Sequence, residues 1–160
     1  MAENANTDHF DEIVRNIYGK ADSLYKFVDL YSALMAKKND YGDGQLMTMV
    51  EVHLLTKIEE NPGITVTELA KVNNRTKGAI SQKLKKLIEW GYIVGQKKDG
   101  NAKSILLYAT EKGVKCSTKH KHYDLIDIMQ TTSQLLQTCS VEELDTFYKV
   151  IAEYTKLLEE

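Results

Sequence analysis

A chain of 160 residues with 42% hydrophobic and 28% charged residues has the makeup of a folded domain with a few appended helices, not of a disordered segment. No apolar run reaches the roughly 18 residues of a membrane span, and the polar start from Met1 to Asp8 does not read as a secretory leader. Two cysteines, Cys116 and Cys139, are too few for a disulfide framework and fit a reducing, cytoplasmic setting. The net charge of −2 hides an asymmetry. Between Lys71 and Lys103 nine basic residues meet only Glu89 and Asp99, giving +7 and leaving −9 for the rest. A basic island in an acidic protein is the electrostatic footprint of a polyanion-binding face, unless it is merely a solvated helix surface.

The first predicted element is a long helix over residues 10–38. Ile13, Ile17, Leu24, Phe27, Val28, Tyr31, Leu34 and Met35 recur at helical intervals, which builds one apolar face. The run Asn39-Asp-Tyr-Gly-Asp-Gly44 ends it. A second helix is expected from about Leu46 to Glu60, apolar around much of its circumference and so buried on several sides. Asn61-Pro62-Gly63, with the only proline of the chain, stops it.

Thr65-Val-Thr-Glu68 is a capping box that opens a short helix, and Asn73-Asn74 interrupts that helix after about two turns. A new helix begins at Thr76, an N-cap, and runs to Trp90, where Gly91 ends it. Ile80, Leu84, Leu87 and Ile88 are its expected buried stripe. Two helices joined by so short a turn make a helix-turn-helix. Tyr92–Lys98 and Ser104–Tyr108 then read as strands around Asp99-Gly100-Asn101, a strong hairpin signal. A basic-tipped hairpin directly after the second motif helix is a wing. Thr110-Glu-Lys-Gly113 starts another long helix, and Ser140-Val-Glu-Glu143 is the capping box of the last one. That last helix carries Leu144, Phe147, Ile151, Tyr154 and Leu158 at spacings of three and four, a stripe that needs a cover.

Three stretches carry a family resemblance: Ile64-Thr-Val-Thr-Glu-Leu-Ala70, Leu87-Ile-Glu-Trp-Gly-Tyr-Ile93 and Ala109-Thr-Glu-Lys-Gly113. In sequence, spacing and helix order along nearly the whole chain they are similar to the MarR family of bacterial regulators. The resemblance implies a mainly α protein. It has a winged helix-turn-helix with a two-stranded β-hairpin wing over residues 46–109, and an all-helical dimerisation region formed by the N- and C-terminal helices, residues 1–45 and 110–160. It implies a homodimer, often a repressor, on a pseudo-palindromic operator in double-stranded DNA, released by a small-molecule effector, metal or oxidant. One position departs from the family: its usual wing Asp-x-Arg is matched here by Asn101 and Lys103, so a weaker polar pair replaces an ion pair.

On a helical wheel centred on Leu84, Arg75, Gly78, Ala79, Gln82 and Lys86 point outward. Gly78 costs the helix roughly 1 kcal/mol relative to alanine, while a small residue there lets the backbone approach base edges. Gln82 can bond bidentately to adenine, and Lys77 or Lys86 can reach guanine or phosphate. Thr65, Thr76, Ser81 and the free amides of the helix start suit phosphate. Lys97, Lys98, Asn101 and Lys103 place the wing on backbone or minor groove. The recognition helix is thus about 76–90 and the wing about 97–103. Two copies related by a twofold axis would read half-sites about 10 base pairs apart.

The family's effector pocket lies between dimer helices and DNA-binding lobe, which nominates His53 as a lining residue, alongside its plain reading as a hydrogen-bonded core histidine. Cys116, His120 and Asp124 stand at i, i+4 and i+8 along one face of the helix after the wing and could ligate a zinc-type metal. Metal-responsive regulation is therefore an alternative to a small-molecule effector. Peroxide sensing in this family uses a first-helix cysteine, and that helix has none here. No cofactor is expected. A winged-helix adaptor that does not read DNA is the competing class, opposed by the small, basic outward face. An enzyme finds no phosphate loop, nucleophile motif or acid–base pair.

Overall fold

The computed structural model describes residues 2–98 and 101–159, with side-chain surroundings for 14–15, 18–97 and 105–159. It divides into two compact units, Met1–Ser117 and Thr118–Glu160.

The first unit opens with α1 (Ala2–Ala36), longer than the periodicity of 10–38 suggests. The side chains of Ile13 and Ile17 lie outside the described residues. The turn-forming run after α1 is the loop of a small hairpin: β1 (Lys38–Asp40) pairs antiparallel with β2 (Leu46–Thr48). The Asp40 carboxylate organises this loop by accepting from the backbone amides of Gly42, Asp43 and Gly44 at 2.7, 3.1 and 3.0 Å. The second helix therefore starts later than its apolar run does. Leu46 and Met47 belong to the strand, and α2 covers Met49–Glu60. Thr48 is its N-cap, and the Thr48–Glu51 pair forms a capping box.

Helix α2 is the centre of the core. Val52, Leu54, Leu55 and Ile58 are all buried, as an all-round apolar helix requires. The motif helices bury their apolar residues in the same core: α3 (Val66–Val72) through Leu69 and Ala70, and α4 (Lys77–Glu89) through Ile80, Leu84 and Leu87. Ile88, expected in that stripe, is exposed. The buried residues centre between Ile80, Leu84 and Leu87, which turns the packed face roughly 30° toward the Lys83 side of the wheel and swings Ile88 out.

A three-stranded sheet completes the lobe in the order β3-β5-β4. Strands β4 (Ile93–Lys98) and β5 (Asn101–Ala109) form the wing hairpin, with a register irregularity at Lys97/Lys98. The Asp99-Gly100 turn lies outside the described residues. The third strand, β3 (Ile64–Thr65), pairs with Leu107 and Leu106 and is too short to show a period in the sequence. Cys116, on α5 (Glu111–Leu135), and Tyr41 and Met47, before α2, also belong to the core.

The second unit holds the remainder of α5 and α6 (Val141–Glu159). Ser140 caps α6 by the expected box, its amide donating to Glu143 at 2.8 Å and its hydroxyl accepting from the Glu143 amide at 3.2 Å. No α6 residue is buried. Phe147, Ile151, Tyr154 and Leu158 are exposed, and Leu144 is half-covered. No helix among the described residues is long and apolar enough to cross a membrane.

Candidate nucleic-acid interface

Local chemistry fixes the helix-turn-helix. At the α3 start the Thr65 hydroxyl donates to Glu68 Oε2 at 2.7 Å and accepts from the Glu68 amide at 3.2 Å, while Glu68 Oε2 also accepts the Thr65 amide at 2.8 Å. Two orphan amides of the helix end are thus satisfied reciprocally. Thr65, expected to touch phosphate, has its hydroxyl committed inside this cap. At the other end Asn73 caps α3 through its side-chain amide, which donates to the Leu69 carbonyl at 2.7 Å. Asn74 takes a left-handed φ of 46°, a conformation asparagine tolerates better than most residues. The Arg75 amide then returns to the Ala70 carbonyl at 3.0 Å, closing the turn.

Thr76 caps α4 by accepting from the Ala79 amide at 3.2 Å. Past this cap the first turn of α4 is open. Arg75, Thr76, Lys77, Gly78, Ala79, Ser81 and Gln82 are all exposed. A Cβ added at Gly78 would meet no atom within 4 Å, so the fold does not require a glycine there. A basic hollow of about 550 Å³ runs along the turn, lined by Thr67, Ala70, Lys71, Asn74, Arg75, Thr76 and Lys77. Helix-end amides beside a cluster of cations attract anions. Lys85, not singled out by the wheel, is also exposed over 79% of its side chain, 3.9 Å from Glu89.

Lys86 is placed differently from the rest. Its ammonium lies 2.8 Å from Glu51 Oε1, and Glu51 is only 2% exposed. Burial pushes the Glu51 carboxyl up, and the hydrogen bonds from Lys86 and Thr48 outweigh that and hold it below the usual carboxylate range. On the wing, Lys97 is exposed. The side chains of Lys98, Asn101 and Lys103 lie outside the described residues.

A second network fixes the exit from α4. The Tyr92 hydroxyl donates to Asp43 Oδ2 at 2.6 Å, Lys112 Nζ lies 3.5 Å from the same oxygen and 4.2 Å from the centre of the Tyr92 ring, and it donates to the Trp90 carbonyl at 2.9 Å. Burial raises the Asp43 carboxyl, but these hydrogen bonds and the Lys112 charge leave it below its ordinary value. Burial and Asp43 push the Tyr92 hydroxyl well above the normal phenol range. The Asp43 loop, the wing entry and the start of α5 are thereby tied to one another.

His53 is half-buried and lines a cleft of about 480 Å³ with Met35, Val50, Leu54, Lys57, Asn73, Arg75, Ala79, Ile80 and Lys83. The Lys57 ammonium donates to Asn73 Oδ1 at 2.9 Å. Cys116 sits in the apolar core of the first unit. His120 is buried, with Nε2 3.3 Å from Asp124 Oδ2 one turn on.

A two-helix motif with an open, basic second helix and a wing beside it defines a winged helix-turn-helix DNA-binding protein. Residues 47–105, the motif and most of the wing, match the profile of the MarR family. The HTH-type transcriptional regulator YhjH of Bacillus subtilis strain 168 is 29% identical over 124 residues, 74% of this chain and 71% of that protein. Solved structures that share the fold include the following two. FabT of Streptococcus pneumoniae, determined in complex with DNA, has a TM-score of 0.64 at 20% identity, covering 91% of this chain and 96% of that one. ZitR of Lactococcus lactis, described as a zinc-responsive MarR family member, has a TM-score of 0.66 at 15% identity, covering 89% and 99%. Residues 47–105 therefore carry a MarR-family domain, and the chain is similar to DNA-binding transcriptional regulators of that kind.

Proposed function

We propose that the chain works in the cytoplasm as a homodimeric repressor on a pseudo-palindromic operator, each copy placing α4 in the major groove. The open first turn of α4 carries this reading: Gly78 and Ala79 allow close approach, Gln82 offers a bidentate pair to adenine, and Arg75, Thr76, Lys77 and Ser81 surround them with phosphate-binding groups. The wing would add Lys97, Lys98, Asn101 and Lys103 on the backbone or minor groove. Residues 1–45 and 110–160 supply the dimer region. Its support is the row of exposed apolar side chains on α1 (Leu24, Phe27, Val28, Tyr31, Leu34) and α6 (Phe147, Ile151, Tyr154, Leu158), far more than a monomer leaves in water. Light scattering and gel retardation test both halves together. Wild type should be a dimer that retards operator duplex, and replacing Leu144 and Ile151 by Glu should give monomers with much weaker binding. A dimer in that variant removes α6 from the seam.

The effector reading rests on the His53 cleft. Its lining of Met35, Val50, Leu54 and Ile80 together with Lys57, Arg75 and Lys83 suits a small apolar anion, and Arg75 also lines the DNA-side hollow. A metal-responsive alternative is favoured by the His120–Asp124 pair, whose one-turn spacing suits two ligands on one helix face. A zinc shell usually needs four donors, of which this pair would supply two, and one structural neighbour is described as zinc-responsive. Zinc titration of the protein against that of His120→Ala separates the two readings: equal weak uptake by both leaves the organic anion as effector.

A further inference from the structure

We infer that Glu51 is the positioning residue of the DNA-reading helix: it captures Lys86, takes that lysine out of the DNA-contacting set and pins the third turn of α4 to the start of α2. The inference rests on the DNA-reading role proposed above. Among the described residues Glu51 is the only buried carboxylate, and its two oxygens are divided between separate tasks. Oε2 accepts from the Thr48 amide at 2.9 Å and the Thr48 hydroxyl at 3.0 Å, which locks the side chain in the capping box of α2. Oε1 is thereby presented at a fixed point, and Lys86 meets it at 2.8 Å across 35 residues of sequence. Lys86 keeps 52% of its side chain in solvent, so the carboxylate, not enclosure, holds it.

Two consequences follow from the charges. The pair presents no net charge to a polyanion, so Lys86 releases no counterion when DNA binds. Were Lys86 to swing to a phosphate, Glu51 would be left buried with one oxygen uncompensated, and breaking a buried pair from one side is strongly unfavourable. The lysine therefore stays, and its pairing sets how α4 lies over α2 and where Gly78 and Gln82 stand relative to base edges. Lys77, on the same helix, is exposed and carries no such tether among the described residues.

The test is the salt dependence of DNA binding by the full chain, measured on a duplex selected from random sequence and on an unselected one. Lys77→Met serves as the reference and should lower the log–log salt slope by about one. Lys86→Met should leave the slope unchanged while reducing the preference for the selected duplex about tenfold. Glu51→Gln retains a side chain able to serve the capping box but loses the charge, so it should free Lys86, steepen the slope by about one and lose the same preference. The double variant should return to the wild-type slope. A drop of about one in Lys86→Met, matching Lys77→Met, overturns the proposal, because Lys86 is then a phosphate contact. Unchanged slope and unchanged preference in Lys86→Met overturns it too, and that variant decides alone if Glu51→Gln does not fold. Failure of the wild type to retard either duplex would sink the DNA-reading role itself.

Discussion

Gly113 offers a stability test whose sign the structure determines. A Cβ built there would overlap the carbonyl oxygen of Tyr92 and lie 3.2 Å from Leu55 Cδ1. Leu55 can give way, but the Tyr92 carbonyl cannot. It accepts from the Thr110 amide at 2.9 Å and the Thr110 hydroxyl at 3.2 Å, and that hydroxyl also donates to the Gly91 carbonyl at 2.7 Å. Gly113 is held from its own side, its amide donating to Thr110 Oγ1 at 3.1 Å. Overpacking of a core costs about 1–3 kcal/mol, and backbone against anchored backbone belongs at the upper end. Alanine returns about 1 kcal/mol of helix propensity. The net loss for Gly113→Ala is therefore about 2 kcal/mol, or a Tm lower by roughly 4–8 °C for a chain of this size. Circular dichroism melts at one fixed protein concentration measure it. A Gly113→Ala protein as stable as wild type, or more so, would show that α5 does not approach Tyr92 this closely and would refute the reasoning.

Gly78→Ala should behave in the opposite way. Open space surrounds its Cβ position, so the melt should rise by up to about 1 kcal/mol of stability while operator affinity falls; unchanged affinity would mean that nothing approaches α4 at that point. Asp43 and Glu51 both hold carboxyl values lowered on folding. Their stabilising contributions are present above the unfolded-state value and lost as pH falls through the lower folded one, so acid should destabilise below about pH 4. Asp43→Asn should flatten that part of the stability–pH curve, and an identical curve would deny the pair its role. A small apolar carboxylate should raise the wild-type Tm by linkage and raise it less in Lys83→Met; no shift with any such compound removes the His53 cleft as effector site.

Features written in neighbouring residues were legible in the sequence. The Thr65–Glu68 and Ser140–Glu143 boxes, the Thr76 cap and the wing strands each depend on residues a few positions apart, and the structure holds each of them. The Thr48–Glu51 box was equally local, but it lay inside an apolar run read as continuous helix from Leu46. Strands β1, β2 and β3 are two or three residues long and exist because of distant partners. Ile88 was assigned to the core by a wheel centred on Leu84, and only the position of α2 shows which way the buried stripe turns. The Lys86–Glu51 pair joins two helices with no sequence signal for the match. A wheel records that Lys86 points away from Leu84, not that a carboxylate waits beside it.

The central claim is that the outward face of α4 reads bases, and Gln82 tests it most directly. Wild type and Gln82→Ala should be taken through selection from random duplexes, with affinities then measured at one salt concentration. The account predicts a loss of about 1–3 kcal/mol on the wild-type site and a relaxed preference at a single base position in each half-site. An unchanged preference at every position, with affinity lost equally on all sequences, would contradict it and make Gln82 a backbone contact.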